Sequence, residues 1–295
     1  MKIYSSSFTV DVEDGVSIAM RDVFSKKTEQ TDRVVTYTTQ VLELLDKHNV
    51  IGTFFVLGEV GERFPDLVKA IANAGHEIGV HGYHHLQFFR MTTEQAYQEL
   101  SSAKMLLEDL TGEEVLGHRA PAFSITPETK WGLDVIAKAG FSYDSSIMPV
   151  QGNRYGWPGF SKEITTISTK EGDLTEVPMS VGSLFGKELP VCGGGYLRLF
   201  PYWFTNKMMH QIVQTRPVVV YMHPYELDTE PYPEYYFNEL KKVSLPTQMK
   251  MRSMWVNRKT IYHKLDGLLK QYSFVPMKTL VDDFKTKSEA KEIVI

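Results

Sequence analysis

The sequence contains a single cysteine, Cys192, so an internal disulfide cannot form. It also lacks any apolar run close to the roughly 20 residues that a membrane-spanning helix needs. The net charge is −4, and basic residues are scattered rather than clustered as in nucleic-acid-binding domains. These absences exclude a disulfide framework, and they predict a chain with no transmembrane segment and no nucleic-acid partner.

The first residues, "MKIYSSSFTVDVEDG", reach acidic positions early and contain no apolar signal core. Because a lone cysteine also agrees with a reducing compartment, we expect a cytoplasmic location. The densest basic stretch, "KMRSMWVNRK", is short and interrupted by apolar residues. We interpret it as the solvated face of a helix, with a membrane-surface or anionic-ligand patch as the alternative.

Short β-rich runs alternate with helical patterns over the first two-thirds of the chain. The strand-like runs include "SSFTVDV", "IGTFFVLG" and "HEIGVHGY", and the amphipathic runs include "TYTTQVLELLDKHNV" and "TTEQAYQELSSAKMLLEDLTG". This rhythm predicts a parallel sheet or a barrel. Residues 150–200 look rich in loops, and residues 226–295 are mostly helical and amphipathic, so we expect this last segment to pack on the barrel.

The side chains that could carry chemistry share one position in this pattern, at or just after the carboxyl ends of predicted strands. In (β/α) barrels the active site lies at that rim. The residues are Asp11, Glu13, His81, Arg119, Asp144 and His223.

The first two motifs combine acids with a histidine pair. "TVDVEDGV" places Asp11, Glu13 and Asp14 at the end of an apolar strand, with Asp11 and Glu13 on one face by strand alternation. Three carboxylates repel one another unless a cation or an arginine offsets their charge. His81 and His85 are four residues apart, so on a helical turn both imidazoles could face one ion. Two histidines and a carboxylate are typical ligands of catalytic zinc, but an acidic turn and a polar loop with chance spacing remain alternatives.

The later motifs each allow two interpretations. Arg119 in "HRAPAF" either orients a catalytic carboxylate or forms a structural salt bridge. Asp144 in "YDSS" either caps a helix or raises the pKa of a histidine. His223 follows the apolar run "VVVYM" and is either a core residue or a general acid. Cys192 has no obvious partner histidine, and we interpret it as a small apolar filler.

The ordered series of the acid motif, "HGYHH", "RAPAF", "YDSS" and "YMHP" resembles the polysaccharide deacetylases of carbohydrate esterase family four, which have the NodB-homology fold. Longer stretches such as "GTFFVLGEVGERFPDLV" and "GGGYLRLFPY" look like the subgroup linked to exosortase and exopolysaccharide gene clusters. The resemblance implies an α/β fold, a single distorted (β/α) barrel of the NodB-homology type over residues 1–228. A helical C-terminal extension over residues 229–295 would pack on that barrel.

The same resemblance implies roles for four catalytic residues. Asp11 matches the base that takes a proton from the metal-bound water, and Arg119 matches the arginine that pairs with this base. His223 matches the general acid, and Asp144 matches the acid that tunes it.

The resemblance also implies a divalent metal held by His81, His85 and a carboxylate. The family motif has two adjacent acids before a glycine, whereas this chain has "DVEDG". If "EDG" is the family motif, Glu13 is the base and Asp14 the ligand, whereas "DVE" makes Asp11 the base and Glu13 the ligand. We prefer Asp11 as the base with Asp14 as the carboxylate ligand, because Asp11 ends the strand as in the family motif and Asp is the usual ligand type, with Glu13 as the alternative ligand. Zn²⁺ is the expected ion, and Co²⁺, Ni²⁺ or Fe²⁺ are alternatives that such ligand sets accept.

The activity implied is removal of the N-acetyl group from an N-acetylhexosamine of a polysaccharide, or of its precursor, including a glycolipid. Substrate contacts would come from Tyr196, Pro121 and Phe123, and the aromatics of residues 155–157 either stack on sugars or pack within a loop. One alternative is an amidohydrolase of the same fold acting on a cyclic imide or allantoin-type ring. Another is a glycan-binding module without catalysis, which would not be expected to keep Asp11, Arg119 and His223.

Overall fold

The computed structural model describes residues 3–152 and 155–292, and its centre is a sheet of eight strands. The described residues form ten strands, of which all but β8 and β9 belong to this sheet: β1 Ser7–Val12, β2 Thr53–Val56, β3 Glu77–Val80, β4 Gly117–His118, β5 Tyr143–Asp144, β6 Thr165–Thr169, β7 Gly172–Glu176, β8 Val181–Leu184, β9 Lys187–Pro190 and β10 Val219–Met222. The helices are α1 Gly15–Asp22, α2 Arg33–Lys47, α3 Gly58–Arg63, α4 Pro65–Asn73, α5 Thr93–Thr111, α6 Trp131–Lys138, α7 Gly194–Leu199, α8 Tyr202–Ile212, α9 Glu234–Leu240, α10 Leu245–Ser253, α11 Arg258–Gln271 and α12 Met277–Glu292.

The strand order in the large sheet is β10-β1-β2-β3-β4-β5-β7-β6. Every neighbouring pair is parallel except β6 with β7, and β8 and β9 form a separate antiparallel pair. The α/β class and the parallel sheet predicted from the sequence are therefore confirmed. The segment 150–200 was expected to be rich in loops; residues 155–164 are irregular, but β6–β9 and α7 follow within it.

The segment after β7, which includes β8 and β9, contacts β10 and so joins the two sides of the curled sheet in a distorted barrel. The Tyr221 N–H of β10 donates to the carbonyl of Cys192, and the Val219 N–H donates to the Ser180 hydroxyl. Residues 180–192, which follow β7 along the chain, therefore contact β10 at the opposite edge of the sheet. Cys192 itself is buried, and burial raises the pKa of its thiol to about 12, in agreement with an apolar filler rather than a nucleophile.

The alternation of side chains along β1 separates two environments. Phe8, Val10 and Val12 pack in the main hydrophobic cluster beneath the helices. Thr9 and Asp11 point to the other face, as the two-residue period of a strand requires, and both are buried inside the barrel. Burying polar groups is costly unless each finds a partner, so this inner face of β1 is a place where polar side chains need specific partners.

The helix boundaries follow signals that the sequence carries. Thr92 and Gln95 form a reciprocal capping box at the start of α5, and Gly112 ends this helix with a left-handed φ of 70°. Pro65 occupies the first turn of α4, where its missing N–H costs nothing.

The C-terminal helices pack on the barrel, as expected. The Met277 N–H of α12 donates to Thr53 Oγ1 at 2.8 Å, and the Lys278 N–H donates to Glu77 Oε2 at 3.0 Å. Thr53 and Glu77 begin β2 and β3, so α12 covers the amino-terminal end of the barrel and leaves the opposite rim open. The boundary between residues 1–228 and 229–295 stays a prediction, and residues 293–295 lie outside the described part. Over the described ranges, no helix combines the length and apolar character needed to cross a bilayer.

We expect His76 to make stability depend on pH. It is 5% exposed, its Nδ1 accepts the Gly52 N–H at 3.1 Å, and burial lowers its pKa to about 4. Between pH 6.5 and pH 4 the unfolded chain therefore binds a proton that the folded chain does not. The stability present above pH 6.5 is lost as pH falls towards 4, by about 3 kcal/mol.

This expectation is tested by urea unfolding of the protein at pH 7 and pH 4.5. His76→Gln keeps an acceptor for Gly52 and should flatten the pH dependence by that amount, whereas His210→Gln, at an exposed histidine, should not. An unchanged slope in His76→Gln would contradict the assignment.

Candidate active site

The six polar side chains predicted for the rim do lie at the carboxyl ends of their strands. Because parallel strands end at the same edge, the fold brings most of them together there. Asp11 is in β1 and Glu13 follows it, His81 follows β3, Arg119 follows β4, Asp144 ends β5 and His223 follows β10. Of the preferred catalytic and metal-ligating residues, Asp14 and Asp144 are the two that the structure places outside this cluster.

The centre of the cluster is formed by one glutamate and two histidines. Glu13 Oε2 lies 3.0 Å from His85 Nε2 and 3.5 Å from His81 Nε2. One ligand atom from each of the three residues lies within 4.8 Å of the others, and all three side chains are buried. This is a two-histidine, one-carboxylate donor set of the kind that holds catalytic zinc.

Asp14, the preferred carboxylate ligand from the sequence, occupies a different place. It is the N-cap of α1, and its carboxylate accepts hydrogen bonds from the backbone N–H groups of Val16 and Thr31. Burial raises its pKa, and these N–H donors partly offset that effect. The preference for Asp14 therefore disagrees with the structure, and the alternative, Glu13, is the acid that faces the histidines.

The Nδ1 atoms of the two histidines, which point away from Glu13, each contact an oxygen atom. His81 Nδ1 lies 2.9 Å from the Arg119 carbonyl, which can only accept, so this nitrogen carries the proton and Nε2 presents its lone pair. His85 Nδ1 faces Asp22 Oδ2 at 3.2 Å. Partners of this type fix the orientation of metal-ligating histidines, so the donor set fits a divalent cation. Sequence reasoning missed Asp22, which ends α1 and has no motif of its own.

The spacing alone suggested that the histidine pair lies on a helical turn, but the structure shows that it does not. Gly82 has a φ of 77° and His85 a φ of 58°, both left-handed, so a tight irregular turn follows β3. This turn folds His85 back towards His81, and the ring centroids are 5.4 Å apart. The two imidazoles thus meet as expected, but through loop conformation rather than helical periodicity.

The electrostatics of the cluster favour a positive charge at its centre. Burial alone would raise the pKa of Glu13, but His85, His223 and His81 outweigh it and hold that pKa well below 4.5. Burial alone would lower the pKa of His85, but the Glu13 and Asp22 carboxylates raise it to about 9. The two carboxylates therefore stabilise positive charge at the point where the ligand atoms converge.

Asp11 is held in one orientation by a fully buried arginine. Arg119 Nη1 donates to Asp11 Oδ1 at 2.7 Å and to Thr9 Oγ1 at 2.8 Å. Its Nε and Nη2 bind the carbonyl and hydroxyl of Ser145, and its guanidinium lies 4.2 Å from the ring centroid of Phe55. This arrangement leaves the second oxygen of Asp11 facing the cluster.

His223 lies on the other side of that oxygen. Its Nε2 is 3.8 Å from Asp11 Oδ2 and 3.6 Å from Glu13 Oε1, and its Nδ1 is 3.5 Å from Glu226 Oε2. Glu226 is itself bound by Arg198 Nε at 3.0 Å. Burial alone would lower the pKa of His223, but Glu13 and Glu226 raise it to about 9.

Glu226 therefore has the position that the sequence assigned to Asp144. Asp144 instead accepts from His118 Nδ1 at 2.8 Å and from the Ser146 hydroxyl at 2.6 Å. Burial and the charge of Asp144 raise the pKa of neighbouring Glu176 well above 4.5. The role of Asp144 in tuning His223 thus disagrees with this geometry, and Asp144 supports the "RAPAF" turn through the Ser146 hydroxyl, which accepts the Ala120 N–H at 2.7 Å.

The residues assigned to substrate contacts divide into buried and accessible ones. Phe123 is 8% exposed and packs on Tyr221, and Pro121 is also buried, so neither presents a stacking surface. Tyr196 is partly exposed and its hydroxyl is 2.8 Å from that of Tyr155. Tyr155 lines a cavity of 760 Å³ beside the cluster, with Asp22, Gln87, Arg90, Ala122 and Gln151 among the other lining residues.

The turn beneath this cavity has an unusual backbone. Ala122 and Phe123 have φ values of 54° and 51°, a left-handed conformation that side chains other than glycine rarely adopt. Ala122 is exposed and lines the cavity. Such strain at the edge of a reactive cluster is typical of functional sites.

Two family models match adjacent parts of the chain. Residues 28–143 match the family described as "Polysaccharide deacetylase", and residues 145–282 match a "Domain of unknown function (DUF3473)". Both parts contribute strands to the same sheet, since β2–β4 lie in the first and β6, β7 and β10 in the second.

The chain is also similar to curated deacetylases over part of its length. It is 36% identical over 109 residues to a peptidoglycan deacetylase of Helicobacter pylori, covering 37% of this chain and 36% of that protein. It is 31% identical over 131 residues to a peptidoglycan-N-acetylglucosamine deacetylase of Bacillus cereus, covering 40% and 48%. The chain thus spans less than half the length of these relatives.

Solved structures share the fold at low identity. A Mycobacterium smegmatis chain described as a polysaccharide deacetylase has a TM-score of 0.57 at 23% identity, covering 88% of this chain and 92% of that one. Puue allantoinase has a TM-score of 0.55 at 14% identity, covering 88% and 89%. The architecture is therefore common to chains with different names, and the side chains of the site must decide the chemistry.

Proposed function

We propose that the protein removes the N-acetyl group from an N-acetylhexosamine unit, on the premise that residues 28–143 match the polysaccharide deacetylase family. The observation that carries the proposal is the buried Glu13, His81 and His85 cluster directly beside the Asp11–Arg119 pair. A donor set for a cation, a base and a histidine acid meet at one rim. This combination suits hydrolysis of an amide, whose amine is a poor leaving group.

Glu13, His81 and His85 would hold the divalent cation, with Zn²⁺ expected and Co²⁺, Ni²⁺ or Fe²⁺ as alternatives. When bound, such an ion supplies Lewis acidity that lowers the pKa of a coordinated water to about 7. The three side chains are buried, so they would also keep bulk water from competing for the ion.

Asp11 acts as the base in this proposal. Its Oδ1 is occupied by Arg119, so Oδ2 is the atom that accepts a proton from the attacking water. Arg119 keeps the carboxylate in one orientation through a hydrogen bond between charged groups, which is stronger than a neutral one. The water oxygen then bonds to the acetyl carbonyl carbon.

His223 completes the reaction by donating its Nε2 proton to the leaving nitrogen. As the C–N bond breaks, the products are acetate and the free amine of the sugar. Glu226 binds the far side of the imidazole, and Arg198 holds Glu226 in turn. Glu226 and Arg198 thereby help His223 to keep its Nε2 proton until the leaving nitrogen accepts it.

The substrate we propose is an N-acetylated glycan or its glycolipid precursor. The curated relatives are named for peptidoglycan, and the 760 Å³ cavity opens beside the cluster, with Tyr155 as an aromatic wall. A role in exopolysaccharide biosynthesis, the finer subgroup and a cytoplasmic location follow from the sequence alone and stay predictions; fractionation of the native host would check the location.

Acetate release from N-acetylhexosamine oligosaccharides tests the proposal, with purified protein before chelation, after it and after zinc restoration. Release that stops with chelator and returns with zinc supports a metal-dependent deacetylase. Allantoin and cyclic imides belong in the same panel. Turnover of these rings without acetate release from any glycan would replace the proposal with the amidohydrolase alternative.

Metal content distinguishes the two candidate carboxylate ligands. We expect Glu13→Gln to weaken metal affinity at least about tenfold, since it removes an anionic ligand atom. Asp14→Asn is a matched control, because Asn is a good N-cap and leaves the cluster intact. Elemental analysis of both variants after dialysis checks this. Loss of metal in Asp14→Asn but not in Glu13→Gln would contradict the structure.

A further inference from the structure

A surface that combines exposed apolar side chains with positive charge lies on α10 and its flanks. We name it the α10 patch, and it comprises Lys241, Lys242, Leu245, Met249, Arg252, Val256 and Lys259.

The apolar side chains of the patch are arranged on one face of the helix. Leu245, Met249 and Arg252 are spaced i, i+4 and i+7, so they lie above one another on α10. Leu245 is 67% exposed and Met249 is 65% exposed, whereas Met251 on the opposite face is buried against α1 and α9. The helix is thus apolar on its packed side and again on its outer side, which a helix facing only water does not need.

The charge of this segment differs from that of the whole chain. Residues 240–260 contain six lysines and arginines and no aspartate or glutamate, although the chain has a net charge of −4. Arg258 is buried, and Lys242 pairs with Glu239 at 2.7 Å, but Lys241, Arg252 and Lys259 are exposed. Cations around exposed apolar groups complement a surface that is both anionic and apolar beneath, which is the surface of a bilayer with anionic lipids.

A hollow continues the apolar surface next to Arg252. It has a volume of 400 Å³, and its walls come chiefly from Phe237, Leu240 and Trp255. Tryptophan and phenylalanine beside arginine are the side chains that favour the interface of a bilayer.

The carboxyl end of α10 is connected to the candidate active site through one arginine. Arg198 Nη1 donates to the Ser253 carbonyl at the end of α10, while its Nε binds Glu226. Glu226 in turn lies behind His223, so one arginine joins the patch to the acid side of the cluster.

We propose that the α10 patch docks the protein on the surface of a bilayer that contains anionic phospholipid. Leu245 and Met249 enter the interface between head groups and acyl chains, and the exposed lysines and arginine contact lipid phosphates. The docking itself is independent of the proposed deacetylase activity. Only the consequence that it holds the active-site rim near lipid-borne glycans rests on that activity.

Sedimentation of the full chain with vesicles tests the proposal, using phosphatidylcholine alone and phosphatidylcholine with phosphatidylglycerol. We expect binding only to the anionic vesicles, and a weaker binding at high salt. Leu245→Ser with Met249→Ser should lower the partition coefficient at least about tenfold. Met105→Ser is the matched control, because Met105 is 62% exposed on α5, far along the chain from the patch, and should have no effect.

Either of two other outcomes would contradict the proposal that the α10 patch docks on a bilayer. Binding that Leu245→Ser with Met249→Ser leaves unchanged would mean that charge elsewhere attracts the vesicles. No binding to anionic vesicles, together with concentration-dependent self-association that the same double variant abolishes, would make the patch an interface between copies of the chain. Since no substrate is used, failure here is distinct from failure to release acetate.

Discussion

Replacing Asp11 by asparagine is expected to lower kcat about 10²–10⁴-fold, because the base that accepts the proton is lost while its shape is kept. The amide oxygen introduced by Asp11→Asn would still accept the hydrogen bond from Arg119 Nη1, but the guanidinium would lose its only close carboxylate among the described residues. A buried charge without its partner destabilises a protein by about 3–5 kcal/mol. The variant is therefore expected to fold with a lower Tm and to retain metal, since Asp11 is outside the ligand cluster.

A control must separate lost chemistry from lost stability. Thr9→Val removes another hydrogen bond of Arg119 Nη1 and leaves Asp11 in place. We expect it to lower Tm while kcat stays within a few-fold of the parent. Steady-state kinetics of acetate release, with metal content and thermal unfolding of both variants, give the comparison. Equal kcat losses in the two variants would mean that Arg119 packing, not Asp11 basicity, limits the reaction.

The position of the site could be predicted because each of these strands has a recognisable local sequence pattern. Runs such as "SSFTVDV" and "VVVYMH" change from apolar to polar at one residue, and in a parallel sheet each such change falls at the same rim. The rim therefore follows from periodicity alone. The short strands β6 and β7 were missed because "TTIST" and "GDLTE" have little apolar alternation and gain their structure from pairing with each other.

The choice between Glu13 and Asp14 shows where two local rules compete. Strand alternation puts Glu13 on the face of Asp11, which is the face that the histidines share. An aspartate directly before a helix is equally a strong N-cap, and Asp14 has that role for α1. The preference for Asp14 gave weight to the usual ligand type of a family rather than to these rules. Both are readable in "DVEDGV" without a structure.

The partner of His223 could not be chosen from order along the chain. Asp144 and His223 are brought near the same rim, but the distance between two strand ends depends on strand order across the whole sheet. β5 and β10 lie on opposite sides of β1–β4, whereas Glu226 is three residues from His223 in the turn that follows β10. A contact within one turn was therefore the safer prediction than a contact across the barrel.

His223→Ala is expected to lower kcat about 10²–10⁴-fold, because the leaving amine loses its proton donor. The more informative change is Glu226→Gln, which removes the charge behind the imidazole and keeps the size of the side chain. An opposite charge this close shifts a pKa by about 1–3 units, so we expect kcat to fall about 10- to 100-fold with KM unchanged. Glu226→Asp keeps the charge and should recover part of the loss, which a purely structural role would not predict.

Asp144→Asn provides the matched comparison, because it alters the acid that the sequence assigned to the same role. Asp144 contacts His118, Ser146 and Glu176 inside the barrel, and no contact with His223 occurs among the described residues. Its substitution should therefore lower Tm through this buried network and leave kcat within a few-fold. If Asp144→Asn instead lowered kcat as much as Glu226→Gln at an unchanged Tm, the coupling to His223 would run across the barrel. The kinetics of Glu226→Gln and Asp144→Asn together thus show which acid positions His223. The strand order alone separates these two candidates in the structure.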